Sequence, residues 1–105
     1  MISKVKKSEG LLNLSYQCDL DNKEQIINIA LIQKLASNRV PRGENQHKIL
    51  THANVVRAFK TQTFSQIGKV EMIIPELDSS NQYELVLYTQ DTTTLQIMAV
   101  GVISI

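Results

Sequence analysis

The densest gathering of chemically capable side chains in this sequence lies in one stretch, with Glu44, Asn45, His47, His52, Asn54 and Arg57 close together. A carboxylate and two imidazoles offer acid–base chemistry, and the amides and guanidinium offer hydrogen bonds to a ligand or a partner chain. As a metal set the pattern is weak, because His47 and His52 have no third nearby ligand that completes a coordination shell. Acid–base catalysis would need a pocket that shifts the pKa values of Glu44 and His52, which spacing does not supply. Ser37, Ser65, Ser79, Ser80 and Ser104 stand outside any nucleophile-elbow context. Cys18 is the single cysteine, so no disulfide forms within the chain, and its place in an alternating apolar run predicts a small buried hydrophobe.

In an extended strand His52 and Asn54 share a face, about 7 Å apart along the backbone, whereas Arg57 has the opposite parity unless a bulge shifts it. Two readings of the stretch follow. In the structural one, Glu44 or Asn45 ties down a long loop and Arg57 pairs with a carboxylate at its rim. In the functional one, Glu44, Asn45, His52, Asn54 and Arg57 form a binding patch for a ligand or partner. No catalytic residue, metal or cofactor is assigned.

The elements that would position these residues are strands. Residues Ile2 to Lys7 alternate weakly and predict an edge strand with lysines outward. After a turn at Glu9 and Gly10, Leu12, Leu14, Tyr16 and Cys18 share one parity and predict a half-buried strand. The segment from Ile26 to Leu35 fits both a helical stripe and a strand, and Asp21 with Glu24 resembles a capping box. Period alone does not decide it, but a neighbourhood of strands favours a central strand. Pro41, Gly43 and Asn45 make 37–48 largely loop.

The stretch from Ile49 to Gln62 then sets Val55, Arg57 and Phe59 on one parity against Asn54, Val56 and Ala58 on the other. Val70, Met72 and Ile74 form the inner side of a strand that ends at Pro75. Tyr83, Leu85 and Leu87 do the same for the next one. Thr92, Thr93 and Thr94 predict a turn entering a strand. The last segment, Leu95 to Ile105, is apolar on both parities, which predicts a strand well inside a sheet, with Gly101 marking a bulge or close approach. Seven short strands without βαβ alternation predict an all-β, immunoglobulin-like sandwich, mostly antiparallel, as one domain over residues 1–105.

Composition narrows the function classes. At 105 residues the chain supports one aliphatic core without metal or disulfide staples, and it has no tryptophan. Eleven basic and ten acidic residues give a net charge of +1, which argues against a nucleic-acid partner. No apolar run is long enough for a transmembrane helix. No signal-peptide pattern opens the sequence, which leaves a cytosolic protein or a fragment of a longer one.

Gly43-Glu44-Asn45 followed by His52, Asn54-Val55-Val56 and Arg57 resembles a signature in the C-terminal β domain of secreted bacterial thioredoxin-related proteins, the DUF1223-like and Omp28-like families. Asn28 to Ile32 is similar to the strand that precedes the loop in those proteins, which supports strand over helix there. The resemblance covers residues 10–105, with its specific letters in 43–57. It implies an accessory β domain whose partner is an N-terminal thioredoxin-like domain, in a periplasmic, outer-membrane-associated or extracellular protein. The Cys-x-x-Cys motif of such proteins is missing from this sequence, so no redox activity is carried over.

The expectation is therefore a non-catalytic accessory or protein-interaction domain. A stand-alone ligand- or adhesin-type module working through the 38–48 loop is the alternative. A small enzyme built on Glu44, His52 and Arg57 would need those three to converge in one cleft.

Overall fold

Alternation decides which side chains go inside. Along β2 (Leu11–Gln17) the even-numbered residues Leu12, Leu14 and Tyr16 are buried, and Cys18 continues the series just past its end. The same rule holds in β7 (Ile67–Ile73), where Val70 and Met72 are buried with Ile74 beyond them, and in β8 (Gln82–Asp91), where Tyr83, Leu85, Leu87 and Thr89 are buried. These strands come from a computed structural model that describes residues 1–20, 24–35, 38–39, 49–50, 53–78 and 81–105. The remaining strands are β1 (Ile2–Ser8), β3 (Gln25–Leu35), β4 (Asn38–Arg39), β5 (Ile49–Leu50), β6 (Ala53–Thr63) and β9 (Ile97–Ser104).

Seven of these strands build two antiparallel sheets, ordered β1-β2-β7 and β6-β3-β8-β9, while β4 and β5 form a two-stranded ladder of their own. The sheets face each other across one core. Leu12, Leu14, Tyr16, Val70 and Met72 project from the first sheet, and Ile27, Ile29, Leu31, Tyr83, Leu85 and Leu87 from the second. Each such side chain contributes roughly 1.5–3 kcal/mol of apolar burial, and this common term holds the sheets together. The sandwich is all-β, with no helix among the described residues.

The segment that fits both helix and strand is a central strand. β3 pairs with β6 on one side and β8 on the other. Its inward side places Ile27, Ile29 and Leu31 in the core, and on its outward side Asn28 and Ala30 are shielded between the side chains of the two flanking strands, whereas Ile32 is half-buried and Lys34 exposed. A central strand of this kind carries apolar residues at both parities, and such a run can also be drawn as a helical stripe.

Leu95 to Ile105 behaves otherwise. Among the described residues β9 does not lie inside a sheet but forms the edge of the larger one, paired only with β8. Ile97, Met98, Val100, Val102 and Ile103 are all exposed. Its apolar composition matches a strand with neighbours on both sides, and the fold supplies one.

Two turns show their chemistry. Gly10 takes a positive φ of 73° where β1 turns into β2, a conformation open to glycine. Between β8 and β9, an Asp91 carboxylate oxygen accepts the Thr93 and Thr94 N–H groups at 2.8 and 2.9 Å, and Leu95 closes the turn with a φ of 64°. Gly101 is a close approach: a Cβ there would lie 2.7 Å from Met1 Cγ. At the start of β8, the Tyr83 hydroxyl accepts the Asp78 N–H at 3.1 Å and pins the chain crossing between the sheets.

Candidate functional site

Of the sequence-predicted site residues, Glu44, Asn45 and His52, together with His47, lie outside the described residues. Asn54 and Arg57 are described, and both are exposed on β6. The ladder between β3 and β6 pairs Leu31 with Ala58 and Ile32 with Val56, so Arg57 is one extra residue with no partner opposite. This bulge changes the parity. Asn54, Val56, Arg57 and Phe59 are exposed on one face, while Val55, Ala58, Lys60 and Gln62 take the partly buried side. Simple alternation had put Asn54 and Arg57 on opposite faces, and the bulge joins them. The expected carboxylate partner of Arg57 is not found among the described residues.

The face they share is the outer side of the four-stranded sheet. The register sets Phe59, Ala30, Val86 and Val102 in one row across β6, β3, β8 and β9. On one side of it lie Val56 and Ile32, and on the other Tyr88 and Val100. Phe59 is 55% exposed, Val56 57%, Val100 57% and Val102 55%. The flanking rows also carry Glu84 and Ser104 on one side and Thr61 and Asn28 on the other, so the apolar surface is one row across the sheet with apolar residues on half of each flank.

Polar groups rim the patch and are largely satisfied within it. In the row of Tyr88 itself the Thr61 hydroxyl donates to Asn28 Oδ1 at 2.6 Å, and from there Asn28 Nδ2 donates to Gln90 Oε1 at 3.4 Å and Gln90 Nε2 to the Leu95 carbonyl at 3.0 Å. At the other end, Lys34 Nζ lies 3.1 Å from Glu84 Oε1, with Asn54 opposite Lys34 in the ladder. An apolar centre inside a polar rim is the anatomy of a protein-contact surface.

Among the described residues no group of three His, Cys, Asp or Glu side chains could hold a metal ion. Among the described residues, two open depressions of about 370 and 330 Å³ are lined by Lys7, Glu9, Pro75 and Glu76 in one and by Lys34, Tyr83 and Glu84 in the other. Neither is lined by Asn54 or Arg57. Cys18 is buried, as its place in the alternating run predicts.

Sequence reasoning missed a second set of residues. Lys60 and Gln62 point from β6 toward the seam between the sheets, where Lys60 Nζ donates to the Glu71 carbonyl at 2.7 Å and Gln62 Nε2 to the Lys69 carbonyl at 3.3 Å. Both carbonyls belong to β7, an edge of the three-stranded sheet, so these side chains occupy acceptors that an incoming strand would use. The only trace in the sequence is two long polar side chains at core-side positions. No helix among the described residues is long and apolar enough to cross a membrane. Comparison with protein-family models, with curated proteins and with solved structures finds no match.

Proposed function

We propose that this domain is a non-catalytic interaction module, the accessory β-sandwich of an exported bacterial protein similar to the DUF1223-like and Omp28-like thioredoxin-related proteins. The observation that carries the interaction reading is the apolar row Phe59–Ala30–Val86–Val102 with its polar rim. In this reading a thioredoxin-like domain or another protein covers that face, and Arg57 and Asn54 lie at its β6 margin. An immunoglobulin-like relationship in the broad sense is supported by the Tyr83 hydroxyl bond to the Asp78 N–H at 3.1 Å, which has the form of a tyrosine corner. The strand order departs from the constant immunoglobulin type, since the fourth long strand, β6, pairs with β3 rather than with β7.

Oxidative footprinting tests the assignment on the complete gene product. Phe59 and Tyr88 are expected to be several-fold less modified in the complete protein than in the 105-residue chain. Equal modification in both would remove the basis for a docking face. The reading frame is expected to encode an export signal and a Cys-x-x-Cys domain, and a frame with neither would end the thioredoxin-related part of the proposal. The stand-alone module expected to work through the 38–48 loop has one observation in its favour, the exposed Asn54 and Arg57 on β6. It predicts ligand-dependent protection of that loop with Phe59 left open.

A further inference from the structure

The four sheet edges are not treated alike. β1 carries the exposed Lys4, Lys6 and Lys7 and an irregularity between Ile2 and Lys4. β6 has its bulge at Arg57, and β7 has its Glu71 and Lys69 carbonyls occupied by Lys60 and Gln62. Charge, bulges and side-chain capping are the usual means of preventing edge-to-edge pairing. β9 has an irregularity only at its start, where Gln90 pairs with Ile97 and Thr89 with Ala99. From Ala99 to Ser104 its ladder is regular, and no charged side chain occurs between Thr92 and Ile105.

The direction of its free backbone groups follows from one bond. Ile105 N–H donates to the Tyr83 carbonyl at 3.1 Å, so residues 103 and 101, two and four positions back, also point toward β8. Val100, Val102 and Ser104 therefore direct their N–H and C=O groups away from the sheet. The exposed side chains of β9 occupy both parities, Val100 and Val102 on the outer face and Ile103 on the inner one. A partner lying on the outer face alone would leave Ile103 as it is, whereas a strand added at the edge flanks both parities.

We propose that the β9 edge pairs antiparallel with β9 of a second copy of this chain, joining two four-stranded sheets into one continuous sheet. The proposal rests on the reading of the domain as an interaction module and names one partner and its mode of contact. A second copy fits because antiparallel pairing about a two-fold axis satisfies each strand's free groups reciprocally. Charge points the same way: an uncharged strand meets no like-charge penalty against itself and offers a charged foreign strand nothing to select. One strand pair buries less than a standard interface, so the dimer belongs to the weak class, with a Kd on the order of 10 µM.

Sedimentation velocity on the 105-residue chain, from about 1 to about 200 µM, reads this directly. Wild type is expected to pass from monomer to dimer across that range. Val102→Pro removes an outward N–H without touching the bonds to β8, and is expected to remain monomeric with an unchanged far-UV circular dichroism spectrum. Val102→Lys does the same through charge, and decides the matter should the proline variant not fold. Phe59→Lys, on the far strand of the same face, is expected to keep the dimer. A monomeric wild type overturns the pairing, as does a dimer lost in Phe59→Lys but kept in both Val102 variants, which would place the contact on the face. Protection of Phe59 and Tyr88 in the complete protein is a separate measurement, so the edge pairing and the docking face can fail independently.

Discussion

The two outer faces of this sandwich are built from similar strands and have opposite character. On the three-stranded sheet the register brings Lys6, Asn13 and Glu71 into one row and Lys4, Ser15 and Lys69 into the next. On the four-stranded sheet the corresponding central row is Phe59, Ala30, Val86 and Val102. An antiparallel sheet with one face on the core leaves the other to water, and the first sheet follows that rule in these two rows, with Ile67 and Ile73 exposed at the two ends of β7. The second breaks it across all four strands, and nothing about the core requires the break. Such departures from local consistency are expected where a protein meets something else.

The core common to both sheets gives the largest effect. Leu31→Ala removes a fully buried side chain of the central strand and is expected to cost about 2–5 kcal/mol by urea unfolding. A loss below about 1 kcal/mol would show that the sheets are not packed as described.

Next comes Gly68, on the polar sheet, where an added Cβ would lie 2.5 Å from the buried Tyr16 hydroxyl oxygen. Gly68→Ala should cost about 1–3 kcal/mol through overpacking, and part of that should return when it is combined with Tyr16→Leu, because ring atom Cζ would also lie 2.6 Å from the added Cβ. Simple additivity of the two changes would contradict the contact.

Lys60→Ala sharpens the contrast between guarded and unguarded edges. It frees the Glu71 carbonyl, is expected to cost about 0.5–1.5 kcal/mol, and should increase self-association through β7. A variant as stable and as monodisperse as wild type would mean that the lysine guards nothing.

The smallest effect on stability separates the two faces themselves. Phe59→Ser and Ile73→Ser each remove an exposed apolar side chain and should change stability by less than about 0.5 kcal/mol. Only Phe59→Ser should reduce the binding of a hydrophobic fluorescent dye, because Ile73 stands outside the apolar row. Equal loss in both variants would erase the distinction between the faces.

Much of the fold was legible in the residues. Period-two alternation in Leu12–Leu14–Tyr16, Val70–Met72–Ile74 and Tyr83–Leu85–Leu87 identified three core strands and their inward sides, since that pattern reports one buried face directly. The Glu9–Gly10 and Thr92–Thr94 turns carried their own local chemistry. Arg57 was harder, because a bulge is one extra residue in a ladder and leaves no composition of its own, yet it reverses the parity of everything beyond it. The apolar outer face was hidden for a related reason. Its residues come from four strands, and each contributes positions that seem ordinary when read alone. Glu44, Asn45 and His52 keep their standing as sequence expectations, since they lie outside the described residues.

The sequence by itself determined an all-β chain with an aliphatic core, a buried thiol, near-neutral charge and the inward side of most strands. These are local properties, set by side-chain period and turn chemistry. Tertiary structure alone decided which strands became edges, which edges were guarded, and that four separate strands would align their outward apolar residues into one surface. Pairing partner and register are long-range choices, and shifting a strand by one residue exchanges its two faces. β9 shows the division most clearly. Its residues suit a strand with neighbours on both sides, and only the sheet order shows that among the described residues β8 is its one neighbour.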